Sequence, residues 1–96
     1  MIAEVLNHGK ENAISGRELA AFLNCNIRDI TQAVETERRN GAPICASSGE
    51  NPGYYLGNAE EIEDYCGRLK HRATELFTTR QALIRTLKGI AEQRQE

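Results

Sequence analysis

The chain has no tryptophan, and aromatic residues make up only 5% of its 96 positions. At that length the apolar residues suffice for one small, mainly aliphatic core. Cysteine is also scarce. Cys25, Cys45 and Cys66 are odd in number and form no close pair, which argues against a disulfide framework and against a zinc site. Each is expected to behave as a small buried hydrophobe. No apolar run approaches the roughly 20 residues that span a membrane. Met1-Ile-Ala-Glu4 lacks the charged start and apolar stretch of a signal peptide, so a reduced, cytoplasmic chain with no membrane partner is expected. There is no excess of positive charge: the formal net charge is −2, which weighs against binding nucleic acid by charge alone. Glycine-rich phosphate loops are missing, and Ser47 and Ser48 have no nucleophile-elbow context. No carboxylates are set apart for acid–base work. A non-enzyme with no catalytic residues, no cofactor, no metal and no small-molecule ligand is therefore expected.

What is present is concentrated in residues 15–56. Ser15-Gly-Arg-Glu18 can open a helix as a capping box, with the Ser hydroxyl on the third helical N–H and Glu18 reaching back. Leu19, Phe22 and Leu23 follow at i, i+3 and i+4, which predicts one apolar face. Asn24-Cys25-Asn26 then breaks the pattern. Asn tolerates the left-handed conformation a tight turn requires, so Asn24 is expected at positive φ. Asn26 is a good N-cap, and Asp29 suits the positive end of the next helix. Ile27, Ile30 and Val34 resume helical spacing, and Gly41 ends that helix. Pro43 to Ser47 is extended in character, Ser48 to Gly53 is dense in turn formers, and Tyr54-Tyr-Leu56 reads as a return strand. Upstream, Ile2, Val5 and Leu6 predict a short first helix closed by His8-Gly9. Lys10 to Asn12 reads as a loop, and Ala13-Ile14 as a stub of strand beside the hairpin.

Helix, turn, helix, then a hairpin describes a winged helix. Residues 14–56 resemble the winged helix-turn-helix domains of the biotin-repressor type found in bacterial and prophage regulators. The resemblance is carried by Ser15-Gly-Arg-Glu-Leu-Ala-Ala-Phe-Leu23, the turn Asn24-Cys-Asn26, Val34 with Arg38, Gly41-Ala-Pro-Ile44 and Pro52-Gly-Tyr-Tyr-Leu56. The family usually has Gly at the position of Asn24 and a hydroxyl cap at that of Asn26. Glu37 stands where it usually places a core Leu, and Ile27 where a polar residue often faces the phosphate backbone. The resemblance implies a mainly α fold with a small β-hairpin wing over residues 1–57.

Residues 58–96 carry a different pattern. Asn58-Ala-Glu-Glu61 is an N-cap with acids in the first turn. Ile62, Leu69, Leu76, Leu83 and Ile90 then repeat every seven residues, with Cys66, Ala73, Arg80 and Leu87 between them. Phe77, Ile84 and Ala91 widen the stripe. This predicts a long amphipathic helix, about 50 Å if continuous, whose seam Ile62, Leu69, Leu76, Leu83, Leu87 and Ile90 pairs with a second copy. A helix broken at Gly67, Thr78-Thr79 or Gly89 and folded back on the body is the other possibility. Four acids between Ala59 and Cys66 precede six bases between Gly67 and Lys88. Such a basic block can face phosphate; the plainer account is a solvated face with cations toward the helix C-terminus. His71 and Glu75, four residues apart, read as a surface pair rather than metal ligands.

Two functions fit. In the first, the chain is a small homodimeric regulator of transcription or of a mobile element, bound to double-stranded DNA. Arg28, Thr31, Gln32, Glu35 and Arg39 are expected to face away from Ile27, Ile30 and Val34, and Arg, Gln and Glu read guanine, adenine and cytosine edges respectively. Arg17 is placed to clamp phosphate. Asn26 at the start of the second helix, with Ser48 and Asn51 in the hairpin turn, completes the expected DNA-facing set. In the second, the winged helix is a protein-binding adaptor, for example in a phage or prophage replication or regulatory assembly. Residues 27–40 hold three bases and three acids, and the hairpin turn has Glu50 but no base. That composition favours the adaptor, because phosphate neutralisation supplies most non-specific DNA affinity.

Overall fold

The computed structural model describes residues 1–48 and 52–94, and is mainly helical. Its elements are α1 (Ile2–Val5), a 3-10 turn (Lys10–Asn12), α2 (Gly16–Leu23), α3 (Ile27–Arg39), β1 (Ile44–Ser47), β2 (Gly53–Leu56) and α4 (Ala59–Arg94). The chain divides into two compact units, Met1–Tyr65 and Cys66–Glu96.

In the first unit, helix ends are fixed by the residues that the sequence offers for them. The Ser15 hydroxyl accepts from the Glu18 N–H at 3.0 Å and starts α2; the return bond from Glu18 is not formed. Asn24 ends α2 in the left-handed region, at φ 55° and ψ 51°, as the turn demands. The Cys25 N–H reaches back to the Ala20 carbonyl at 2.9 Å, which closes the turn around it. Two residues later Asn26 and Asp29 exchange hydrogen bonds, side chain to backbone in both directions, at 2.8 and 3.3 Å. This is a complete capping box with Asp in place of the usual Glu. Gly41, at φ 100°, closes α3: its N–H bonds the Arg38 carbonyl and the Ala42 N–H bonds that of Glu37. Only Gly adopts that conformation without strain.

The hairpin pairs antiparallel, Ile44 with Leu56 through Ser47 with Gly53. Ile14 adds a single bridge to Tyr54, with both backbone bonds made at 2.8 and 2.9 Å. The two backbones run so close that a Cβ on Gly53 would lie 2.6 Å from the Ile14 carbonyl oxygen. Strand alternation gives the hairpin two buried faces. Ile44, Tyr54 and Leu56 join the main core of Ile2, Leu6, Leu19, Ala20, Ile30 and Val34. Cys45 and Tyr55 join a second cluster with Tyr65 and Ile62 from the first turns of α4. The first unit therefore runs past Gly57 to Tyr65.

Several apolar expectations are corrected. Phe22 is 73% exposed and Leu23 lies partly open, because the buried face of α2 is centred on Leu19 and Ala20. Phe22 falls to one side of it. Ile27 is 51% exposed: as the first residue of α3 it lies a turn short of the core that Ile30 and Val34 reach. Of the cysteines only Cys45 is buried. Cys25 sits in the exposed turn after Asn24, and Cys66 on α4 beyond the body.

The second unit is the rest of α4. The helix begins with another reciprocal box, Asn58 with Glu61 at 2.8 and 3.0 Å. It runs unbroken through Gly67, Thr78-Thr79 and Gly89 to Arg94. The hydroxyls of Thr74, Thr78, Thr79 and Thr86 each donate to the carbonyl four residues back, which satisfies them without interrupting the ladder. His71 Nε2 lies 3.0 Å from Glu75 Oε1 on the surface. No helix among the described residues is long and apolar enough to cross a membrane.

Candidate functional site

The α3 helix has two faces. Ile30, Ala33, Val34, Glu37 and Arg38 turn inward; Arg28, Thr31, Gln32, Glu35 and Arg39 are exposed along the outer side. The outer residues differ in what their side chains are free to do. The Arg28 and Gln32 side chains, one turn apart, have no hydrogen-bond or ion-pair partner among the described residues, although the Gln32 carbonyl accepts from the Thr36 hydroxyl. The Thr31 hydroxyl donates to the Ile27 carbonyl at 3.2 Å, although its oxygen remains an acceptor at the surface. Glu35 is held by two guanidinium groups, Arg38 at 3.1 Å and Arg39 at 3.8 Å. Its charge is offset locally, and the Arg39 head group stays in solvent. Asn26 is exposed, but its side-chain oxygen is committed to the capping box.

Beside this face the starts of α2 and α3 meet the hairpin in an open cleft of about 340 Å³. Arg17 and Ile27 line one side; Ala46, Pro52, Gly53 and Tyr54 line the other. Arg17 is the one charged residue among the described residues lining the cleft, and the helix starts beside it carry their own caps, Ser15 for α2 and the Asn26–Asp29 pair for α3. Ser48 is exposed at the end of β1. Asn51, expected to share its role, and Glu50 lie outside the described residues. Arg17, Arg28, Gln32 and the cleft therefore gather in one unit, with Arg39 at the far end of α3.

Three charged residues do work that the sequence pattern did not reveal. Glu37 accepts from the Ile2 N–H at 2.7 Å and the Ala3 N–H at 2.9 Å. An acid where the resembled family has Leu thus caps the first helix from across the fold. Arg38 donates from Nε to the Ile44 carbonyl at 2.8 Å, and its guanidinium lies 5.0 Å from the centre of the Tyr65 ring. It links α3, the hairpin and α4 at one point. Glu61 uses its second carboxylate oxygen to accept from the Lys10 N–H at 3.1 Å. A signal existed for the first two: both fall on the inward spacing set by Ile30 and Val34, where a charge needs a specific partner.

In α4 the expected seam divides. Ile62 is half-buried in the first unit's second cluster. Leu69, Leu76, Leu83, Leu87 and Ile90, together with Phe77, are exposed, Leu76, Leu83 and Leu87 each by about two thirds. Among the described residues no three His, Cys, Asp or Glu side chains gather as a metal site. Compared with known proteins, the chain matches no family model, no curated protein and no solved structure.

Proposed function

We propose that residues 1–57 are a winged helix-turn-helix and that the chain is a small homodimeric DNA-binding regulator of transcription or of a mobile element. It acts in the cytoplasm, without a cofactor and without catalysing a reaction. The observation that carries this reading is the outer face of α3. The Arg28 and Gln32 side chains are exposed and unengaged one turn apart, while of the neighbouring acids Asp29 is held in the capping box with Asn26 and Glu35 is offset by two arginines. A guanidinium and an amide at that spacing suit base edges in a major groove. Arg17, beside the starts of α2 and α3, suits the phosphate backbone. The exposed apolar stripe of α4 supports the dimer, which would double the few contacts that one copy makes.

The test is a pair of substitutions titrated against duplex DNA at several salt concentrations. Gln32→Ala should weaken binding to the specific site by about 1–3 kcal/mol and leave other sequences nearly unchanged. Arg17→Ala should weaken all sequences alike and flatten the salt dependence. Equal losses from both on every duplex contradict these roles. No binding to any duplex at low salt leaves the second reading, a protein-binding adaptor. That reading has an observation of its own. Phe22 stands 73% exposed beside a depression lined by Val5, Ile14 and Leu19 together with Asn7 and Glu18, a surface that suits an apolar anchor of a protein partner better than a phosphate backbone.

A further inference from the structure

The stripe on α4 is lopsided. In a heptad frame, Leu69, Leu76, Leu83 and Ile90 take the d positions, and Ala73, Arg80 and Leu87 take a. The e positions that flank a are apolar from the second heptad on, Phe77, Ile84 and Ala91, after Lys70 in the first. The g positions that flank d are polar: Arg72, Thr79, Thr86 and Gln93. Leu76, Phe77, Leu83 and Leu87 are all more than half exposed, and Gly67 and Gly89 lie off the stripe.

We infer that α4 pairs antiparallel with α4 of a second copy across residues 69–91. This rests on the dimeric reading above and specifies its geometry. In a parallel pair each e position meets a g position, so Phe77 would face Arg72 and Ile84 would face Thr79. Arg80 would meet its own copy inside the seam, two like charges in apolar surroundings. Ala73 would meet Ala73 and leave a gap. Turning one helix over removes all three faults. The e positions then face each other: Phe77 meets the partner's Ile84 at the centre, and towards each end Lys70 lays its aliphatic stem beside the partner's Ala91. Each a position meets a d position, so Ala73 sits opposite the partner's Ile90, small against large. Leu76 sits opposite the partner's Leu87. Arg80 packs its aliphatic stem on the partner's Leu83 and extends its head group to water. The polar g positions share the other flank, and the two helix dipoles oppose each other. The stripe is thus complementary to itself in one orientation only, which is what selects a second copy of this chain as its occupant. The two chains enter the paired segment from opposite ends.

Disulfide trapping tests this on the full chain. In a background with Cys25→Ser and Cys66→Ser, two variants are made, Ala73→Cys and Ile90→Cys, and each is oxidised alone and mixed with the other. The expected result is a covalent dimer in the mixture and none in either variant alone. Light scattering is expected to give a dimer for the unmodified chain and a monomer for Leu76→Lys with Leu83→Lys. Covalent dimers in each variant alone overturn the antiparallel arrangement and leave the dimeric reading standing. A dimer that survives both lysine substitutions and traps nothing overturns pairing through α4. A monomeric unmodified chain at tens of micromolar overturns the dimeric reading itself.

Discussion

Leucine has opposite fates in the two units. Leu19, in Met1–Tyr65, is 1% exposed among residues drawn from four other elements. Leu76, in Cys66–Glu96, is 66% exposed although its backbone is as regular as any in the chain. The first unit owes its helices to tertiary partners: α1 has one turn, and it holds because Glu37 caps it and Ile2 is buried. The remainder of α4 owes its helix to local order, through intrinsic propensity and the backbone ladder. A short helix needs packing to exist, whereas a long one needs packing only to hide its apolar side.

The largest expected effect separates these two by the same substitution. Leu19→Ala should cost about 2–5 kcal/mol at any protein concentration, because it opens a cavity inside one unit. Leu76→Ala should cost nothing measurable at nanomolar concentration, where copies are apart, and become costly only where they pair. Tyr54, Tyr55 and Tyr65 all belong to the first unit, so tyrosine fluorescence follows its unfolding alone, and circular dichroism follows both. A Leu76→Ala variant that destabilises the first unit at high dilution would break the comparison.

Next in size is Glu37→Ala. It leaves the Ile2 and Ala3 N–H groups without their acceptor and should cost about 1–3 kcal/mol in denaturant unfolding of the first unit. Glu37→Gln keeps one acceptor oxygen and should recover part of that loss. Glu37→Leu, which restores the apolar residue the resemblance favours, discriminates further. If it stabilises the chain, burial outweighs the cap.

How much of this was legible follows the same divide. The turns at Asn24 and Gly41, the caps at Ser15, Asn26 and Asn58, and the hairpin are written within a few residues of where they act, and they stand where the sequence places them. What depended on distant partners was read poorly. Periodicity put Phe22 and Ile27 on buried faces, but a face is buried only where another element covers it, and none covers these. Glu37 and Arg38 fall on the inward spacing, but what they bond to does not follow from it, because Ile2 and Ile44 lie on other elements, and Lys10, the partner of Glu61, lies 51 residues away. The outer residues Arg28 and Gln32 were legible as exposed, since helical phase follows from Ile30 and Val34. That Glu35 would be offset by Arg38 and Arg39 needed only their i+3 and i+4 spacing.

The smallest effect tests local order in α4 directly. A Cβ added at Gly67 or Gly89 would meet nothing within 4 Å, and neither position lies on the apolar stripe. Gly67→Ala and Gly89→Ala should therefore each stabilise the helix by up to about 1 kcal/mol through backbone entropy alone. Helicity of the unpaired chain should rise at high dilution, while the tyrosine-reported unfolding of the first unit stays where it was. The same change at Gly53 should destabilise, because its Cβ would strike the Ile14 carbonyl. Opposite signs from one substitution would establish that the two units are held by different means. If Gly67→Ala instead shifts the tyrosine transition, the helix beyond Tyr65 is coupled to the first unit, and its stability cannot be treated as local.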